Sequence, residues 1–239
     1  MKNYFYGFVI TVLFTGCTAQ QIQQAKTALE GVLEEDALSV QEVAKGLKEA
    51  LIQGTKKGAS SVSKLNGYYN NPQIKIPFPP EVQQVEQRLR QIGLGTQVDQ
   101  FVQTLNKGAE EAAKEAAPIF TSAIQSMTIS DAWGILKGDE DAATQYLIRT
   151  TTSQLTQAFS PVVSRALDKT KATKYYGDII TAYNKIPLVE DVNPDLEGYA
   201  TQMAINGLFV MIAQEEKNIR QNPVARGSEL LKRVFSQQD

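Results

Sequence analysis

Residues 195–220 read DLEGYATQMAINGLFVMIAQEEKNIR, and this stretch decides the fold class. Tyr199, Met203, Leu208, Phe209 and Ile212 follow a helical rather than an alternating period. Asp195 stands before the run as a helix N-cap. The same period returns almost everywhere in the chain after residue 20.

Working outward, Asn222-Pro223 reads as the N-cap and first residue of the last helix, which carries Leu230, Leu231 and Val234. Upstream, a helix spans Tyr175 to Lys185 and closes at Pro187. Asp139 caps a helix to Phe159, with Ala143, Tyr146, Leu147 and Leu155 inward. Ser160-Pro161 separates it from a short one at Val162 to Leu167. Ser130 caps a helix through Leu136. Val98, Phe101, Val102, Leu105 and Ala109 mark a longer helix that Pro118 ends or kinks. Gly93 and Gly95 bracket a break at IGLG. Pro80 opens a helix with Val82, Val85 and Leu89 on one face. Ser39 and Glu42 have capping-box spacing ahead of a stripe at Val40, Val43, Ala44, Leu47 and Leu51, which fades near Gly58.

The non-helical exception is NGYYNNPQIKIPFPP, residues 66 to 80. IKIPF alternates briefly, but Pro77 denies it a central strand position. The segment reads as an extended crossover with room for a short edge strand. Tyr68, Tyr69 and Phe78 are expected to be partly exposed there, available to a partner or to acyl chains. The expected architecture is all-α, a single compact domain of about 8 to 10 helices.

Composition excludes several chemistries. The chain has 239 residues, no histidine and one cysteine. There is therefore no Ser-His-Asp or Cys-His catalysis, no imidazole metal site, no intrachain disulfide and no thiolate zinc site. The 24 basic and 26 acidic residues leave a charge of −2, which argues against a nucleic-acid partner. No cofactor is implied.

The lone cysteine has an explanation. Residues 4 to 14, YFYGFVITVLF, form an apolar run too short to span a bilayer, preceded by Lys2 and followed by small residues. Leu13-Phe14-Thr15-Gly16-Cys17 resembles a bacterial lipobox, although Phe14 stands where leucine is usual. That resemblance implies a signal peptide at 1–16, removed before Cys17, and lipidation of Cys17. Residues 17–35 would then be a tether with a first helix, and 36–236 the helical domain. Thr18 is not Asp, and no acidic cluster follows. The expectation is an exported protein held by lipid at the outer membrane and facing the periplasm.

The stretches NNPQIKIPFPP, IGLGTQVDQF, KEAAPIF, DAWGILKGDEDAAT, NGLFVMIAQEEKNIRQNPVAR and SELLKRVF together resemble an uncharacterised bacterial lipoprotein family, catalogued as domain of unknown function 4197. The resemblance covers roughly residues 36 to 236. It implies a helical, exported domain and brings no activity, substrate or catalytic residue.

Three polar clusters are candidate sites. Asp139, Glu140 and Asp141 crowd a helix start, where carboxylates either gather a hard cation such as calcium or, more simply, complement the macrodipole. Asp191, Asn193, Asp195 and Glu197 alternate like early ligands of a calcium loop. Leu196 and Gln202 nevertheless stand where such a loop needs Gly and Glu, and an Asx-turn leading into the Asp195 cap reads as well. Glu215, Glu216, Arg220 and Arg226 surround a helix break. They are read either as an ion-pair lock between helices or as a carboxylate base with an anion-holding arginine.

The leading functional reading is a membrane-tethered, non-enzymatic interaction or scaffold module with an envelope protein partner. The alternative is a binder of a lipid or small apolar ligand in a cavity between helices. A carboxylate-based hydrolase or transferase comes third. The missing catalytic constellation leans against an enzyme without deciding the matter.

Overall fold

The stretch that opened the sequence reading is the central helix of the molecule. The computed structural model describes residues 39–185, 191–193 and 195–236. Their α-helices are α1 (Val40–Val62), α2 (Gln83–Gln91), α3 (Gly95–Ala112), α4 (Ala116–Gln125), α5 (Ile129–Lys137), α6 (Ala142–Lys169), α7 (Ala172–Tyr183), α8 (Leu196–Gln221) and α9 (Glu229–Ser236). Single 3₁₀ turns lie at Pro80–Val82, Ala113–Glu115 and Pro223–Ala225. Among the described residues there is no strand, and none of these helices is long and apolar enough to cross a membrane. The all-α expectation holds. Cys17, the 1–16 and 17–35 segments, Pro187 and Pro194 lie outside the described residues.

Helix α8 packs against α1, α3 and α6, and α6 packs in turn on α3 and α4. The sequence of α8 explains its place. Leu196, Ala200, Ala204 and Leu208 bury one face, while Thr201, Ile205, Phe209 and Ile212 widen it beyond a single stripe. Each large side chain of this kind contributes about 1.5–3 kcal/mol on burial, so packing rather than intrinsic propensity holds the helix. Close approach to α1 depends on Gly58, whose missing Cβ would lie 3.3 Å from Ile212.

The crossover between α1 and α2 lies directly on α8. A Cβ at Gly207 would come within 2.7 Å of the Tyr68 ring and 3.1 Å of Ile74. The Tyr68 hydroxyl donates to the Ala204 carbonyl at 2.6 Å. Ile74, Ile76 and Phe78 are buried while Lys75 and Pro77 are exposed. The alternation is therefore that of a strand, but the partner is a side chain. The Asn106 amide of α3 accepts from the Ile76 N–H at 2.9 Å and donates to its carbonyl at 2.8 Å. The buried Glu110 accepts from the N–H groups of Tyr68 and Tyr69 at 3.3 and 3.4 Å. This corrects the expected exposure of the aromatics. Tyr68 and Phe78 belong to the core, and only Tyr69 is half-buried, with the Lys75 ammonium 4.1 Å above its ring.

Other boundaries shift for physical reasons. Pro161 does not interrupt α6, which runs for 28 residues through it. Both Pro161 and Gln157, whose carbonyl loses its helical donor, face solvent, so water can satisfy the freed group. Pro118 sits in the first turn of α4, where a missing N–H is harmless. The break comes before it, at Ala113–Glu115. Thr128, not Ser130, caps α5, through a reciprocal capping box with Asp131. Asn222 caps the Pro223–Ala225 turn rather than the last helix, accepting from the Val224 N–H at 3.1 Å.

Candidate functional site

The first α2–α3 contact is made by a turn. Leu94 N–H bonds the Leu89 carbonyl at 2.9 Å and Gly93 N–H bonds the Arg90 carbonyl at 3.1 Å. This is a Schellman closure, with Gly93 at φ +88 in the left-handed position it requires. Arg90 staples the two helices across the turn, 2.8 Å from Glu86 and 2.9 Å from Asp99. Such motifs bring together the apolar side chains that flank the turn. Here these are Leu89 and Leu94, and both face a groove.

The groove lies between α2, the start of α3 and α7, with a volume of about 470 Å³. Phe78, Val98, Ala172 and Tyr176 line its buried interior. Leu89, Leu94, Phe101 and Ile179 form the walls, with Gln97, Gln100, Thr104, Thr170 and Tyr175 completing the lining. None of these side chains is charged. The Phe101 ring centroid is 5.0 Å from Phe78 and 6.2 Å from Tyr176, so three aromatic rings back the site. Burial, with Glu81 nearby, pushes the Tyr176 phenol up to about 12 and keeps it neutral. Lys171, at φ +56, makes the second left-handed turn beside the groove, between α6 and α7. The arrangement can exclude water around an apolar group, and its polar lining is limited to amide and hydroxyl groups.

The structure brings part of the Glu215, Glu216, Arg220 and Arg226 cluster together as a helix lock. Glu216 accepts from the N–H of Ala143 at 3.0 Å, and from the N–H and hydroxyl of Thr144 at 2.8 Å each. It thereby caps α6 from another helix, the role that sequence gives to Asp139. Arg220 pairs with Glu216 at 2.9 Å and donates to the Ile135 carbonyl at 2.8 Å. Arg226, buried, donates to the carbonyls of Ile219 and Arg220 at the end of α8. Glu215 turns instead to Lys57 of α1, at 2.7 Å. The space beside Glu216 and Arg220 is about 10 Å³, hardly one water.

Asp191, Asn193 and Asp195 border one cleft of about 380 Å³, while Glu197 is not part of its lining. Asn193 accepts from the Asp195 N–H at 3.0 Å, and Asp195 caps α8 by accepting from the Gly198 N–H at 2.8 Å. The Glu197 carboxylate accepts from the Ser160 hydroxyl on α6. Among the described residues no group of three or more Cys, Asp or Glu is placed to hold a metal ion. Asp141 accepts from Gln145, and Glu140 from Gln221.

A family model described as "Protein of unknown function (DUF4197)" matches residues 37–236. The chain belongs to this family. No curated protein and no solved structure matches the sequence. All the described helices, the groove and the three polar clusters fall within the DUF4197 match, while Cys17 lies before it. In this DUF4197 chain the IGLG break is legible in the sequence, whereas the groove that the turn frames is not. The usable signal was the Leu89 and Leu94 pair about Gly93. Nothing in the sequence places α7 opposite it.

Proposed function

We propose that this protein is an envelope lipoprotein, anchored through Cys17 and facing the periplasm from the outer membrane, whose helical domain binds an apolar, acyl-chain-like ligand. The observation that carries the ligand is the groove of about 470 Å³ lined by uncharged side chains. Its size falls within the ~300–1,000 Å³ of small-molecule sites. The scaffold reading has no surface of comparable definition behind it. A hydrolase built on Glu216 and Arg220 lacks room for a substrate beside a pair already committed to capping α6. The anchor is supported by the apolar run and the Leu13–Cys17 pattern.

Photo-crosslinking tests the ligand. The mature chain is reconstituted in vesicles containing a phospholipid with a diazirine in its acyl chain. Adducts are expected on the peptides carrying Val98 and Ile179, and Thr104→Phe, which fills the groove, should remove them. Adducts spread over the exterior and indifferent to Thr104→Phe would defeat the reading. For the anchor, Cys17→Ser should abolish uptake of labelled fatty acid and leave the precursor unprocessed. Normal processing of that variant would defeat it.

A further inference from the structure

We infer that the mouth of this groove is a docking face for a phospholipid bilayer, the source from which its ligand enters. The purpose of the face rests on the ligand reading above. The face itself stands on rim residues distinct from the buried lining. Three large apolar side chains are exposed around the mouth: Ile92 at 72%, Leu94 at 36% and Tyr175 at 57%. Leu94 and Tyr175 line the groove, and Ile92 shares the Gly93 turn with Leu94. The other large exposed apolar residues, such as Leu65, Ile129 and Val224, sit on separate elements.

The charge at the opposite lip complements a lipid surface. Lys169, Lys171 and Lys174 alternate with the groove-lining Thr170, Ala172 and Tyr175, and all three lysines are exposed. Among the described residues none of them is paired with a carboxylate. Asp168 and Asp178 are the acidic residues of the same stretch, so the lip is net positive on a chain whose overall charge is −2. Arg88 on α2 is exposed as well, and its guanidinium donates to the Gln91 side chain.

Apolar tips flanked by lysines are the pattern of a face that lies in the membrane interface. Leucine and isoleucine enter the acyl region, tyrosine sits at the headgroup level, and lysine stems extend to the phosphates. Both lips are turns built on left-handed residues, Gly93 and Lys171, so the tips project without unravelling a helix. Seated this way, the uncharged groove opens onto the acyl region, and a chain could pass from bilayer to protein without crossing water.

The test uses the full lipidated chain in vesicles whose acyl chains carry bromine, a contact quencher of indole fluorescence. Trp133 is the single native tryptophan and is replaced in a Trp133→Phe background carrying Tyr175→Trp as reporter. Reporter fluorescence should fall severalfold more than that of the native chain. High salt, and separately Lys169→Gln with Lys171→Gln and Lys174→Gln, should restore most of it, because the phosphate attraction is electrostatic. A reporter unquenched in any vesicle overturns the inference. So does a dimer, seen by sedimentation in detergent, that Ile92→Gln and Leu94→Gln dissociate, since a second copy would then own the face. Apart from the half-buried Trp133, these substitutions lie on exposed positions, and circular dichroism checks that the helices remain. Quenching with no interior adducts would leave docking standing and remove the ligand; adducts without quenching would do the reverse.

Discussion

The side-chain amide of Asn106 holds both backbone polar groups of Ile76, the N–H at 2.9 Å and the carbonyl at 2.8 Å. A third bond runs from the same amide nitrogen to the Val102 carbonyl at 2.7 Å. One fully buried residue thus replaces the neighbouring strand that IKIPF lacks, and pins the crossover between α3 and α8. Asn106→Ala strands a buried N–H and a buried carbonyl. Each such orphan costs about 1–3 kcal/mol, so we expect a loss near ~3 kcal/mol in urea unfolding. Faster hydrogen exchange at Ile76 should accompany it. A loss below ~0.5 kcal/mol would mean that water or a shifted backbone takes over the role of the amide.

Glu216→Gln should cost about 3 kcal/mol, because it leaves the nearly buried Arg220 guanidinium without its counter-charge and weakens the cap on α6. Adding Arg220→Met should recover part of the loss, since replacing a whole buried pair costs less than breaking it. Acyl crosslinking in the groove should be unchanged in either protein. A sharp fall in crosslinking with stability preserved would return the cluster to the list of functional sites.

Pro161→Ala should stabilise the protein. It restores the bond to the Gln157 carbonyl at a solvent-facing position of α6. The helical gain exceeds the lost restraint on the unfolded chain, leaving about 1–2 kcal/mol. The urea midpoint should rise at constant slope. A fall would show that α6 needs the proline where it passes Glu197.

Stability should decline in alkali. Burial, with Glu81 close by, raises Tyr176 from 10.0 to about 12. Burial, Glu81 and Tyr176 raise Tyr199 likewise. Tyr68, more deeply buried, shifts in the same direction. A raised folded value means that the unfolded chain gives up these protons first. The stabilisation is therefore complete below pH 10 and drains as pH rises towards about 12. Urea unfolding across that window should show the decline, and Tyr176→Phe with Tyr199→Phe should flatten it. An unchanged slope in the double variant would exclude these two phenols as the cause.

Much of the architecture was legible because it is local. The helical period of 195–220 and the IGLG break arise from neighbours within a few residues, as does the Asn222 cap, although it serves the Pro223–Ala225 turn and not the last helix. Apolar spacing and the φ demanded of Gly93 act before any tertiary contact forms. The ends that went astray are those where a distant partner overrides the local signal. Asp139 is a good N-cap by type, yet Glu216 takes the cap because α8 brings a buried carboxylate to the start of α6. Pro161 is a breaker by type, yet burial of Phe159 and Val163 on either side holds α6 together around it.

By itself, the sequence determined an all-α domain, the family to which it belongs and the exclusion of histidine and thiolate chemistry, because composition and short-range periodicity carry that information. Only the tertiary structure decided that Tyr68 and Phe78 are core rather than surface. Only it showed that Glu216 and Arg220 tie α8 to the start of α6 and to α5, and that Leu94 and Tyr175 line one apolar groove. Those outcomes depend on which helix faces are brought together over separations of about 40 to 140 residues, and no local pattern encodes that pairing.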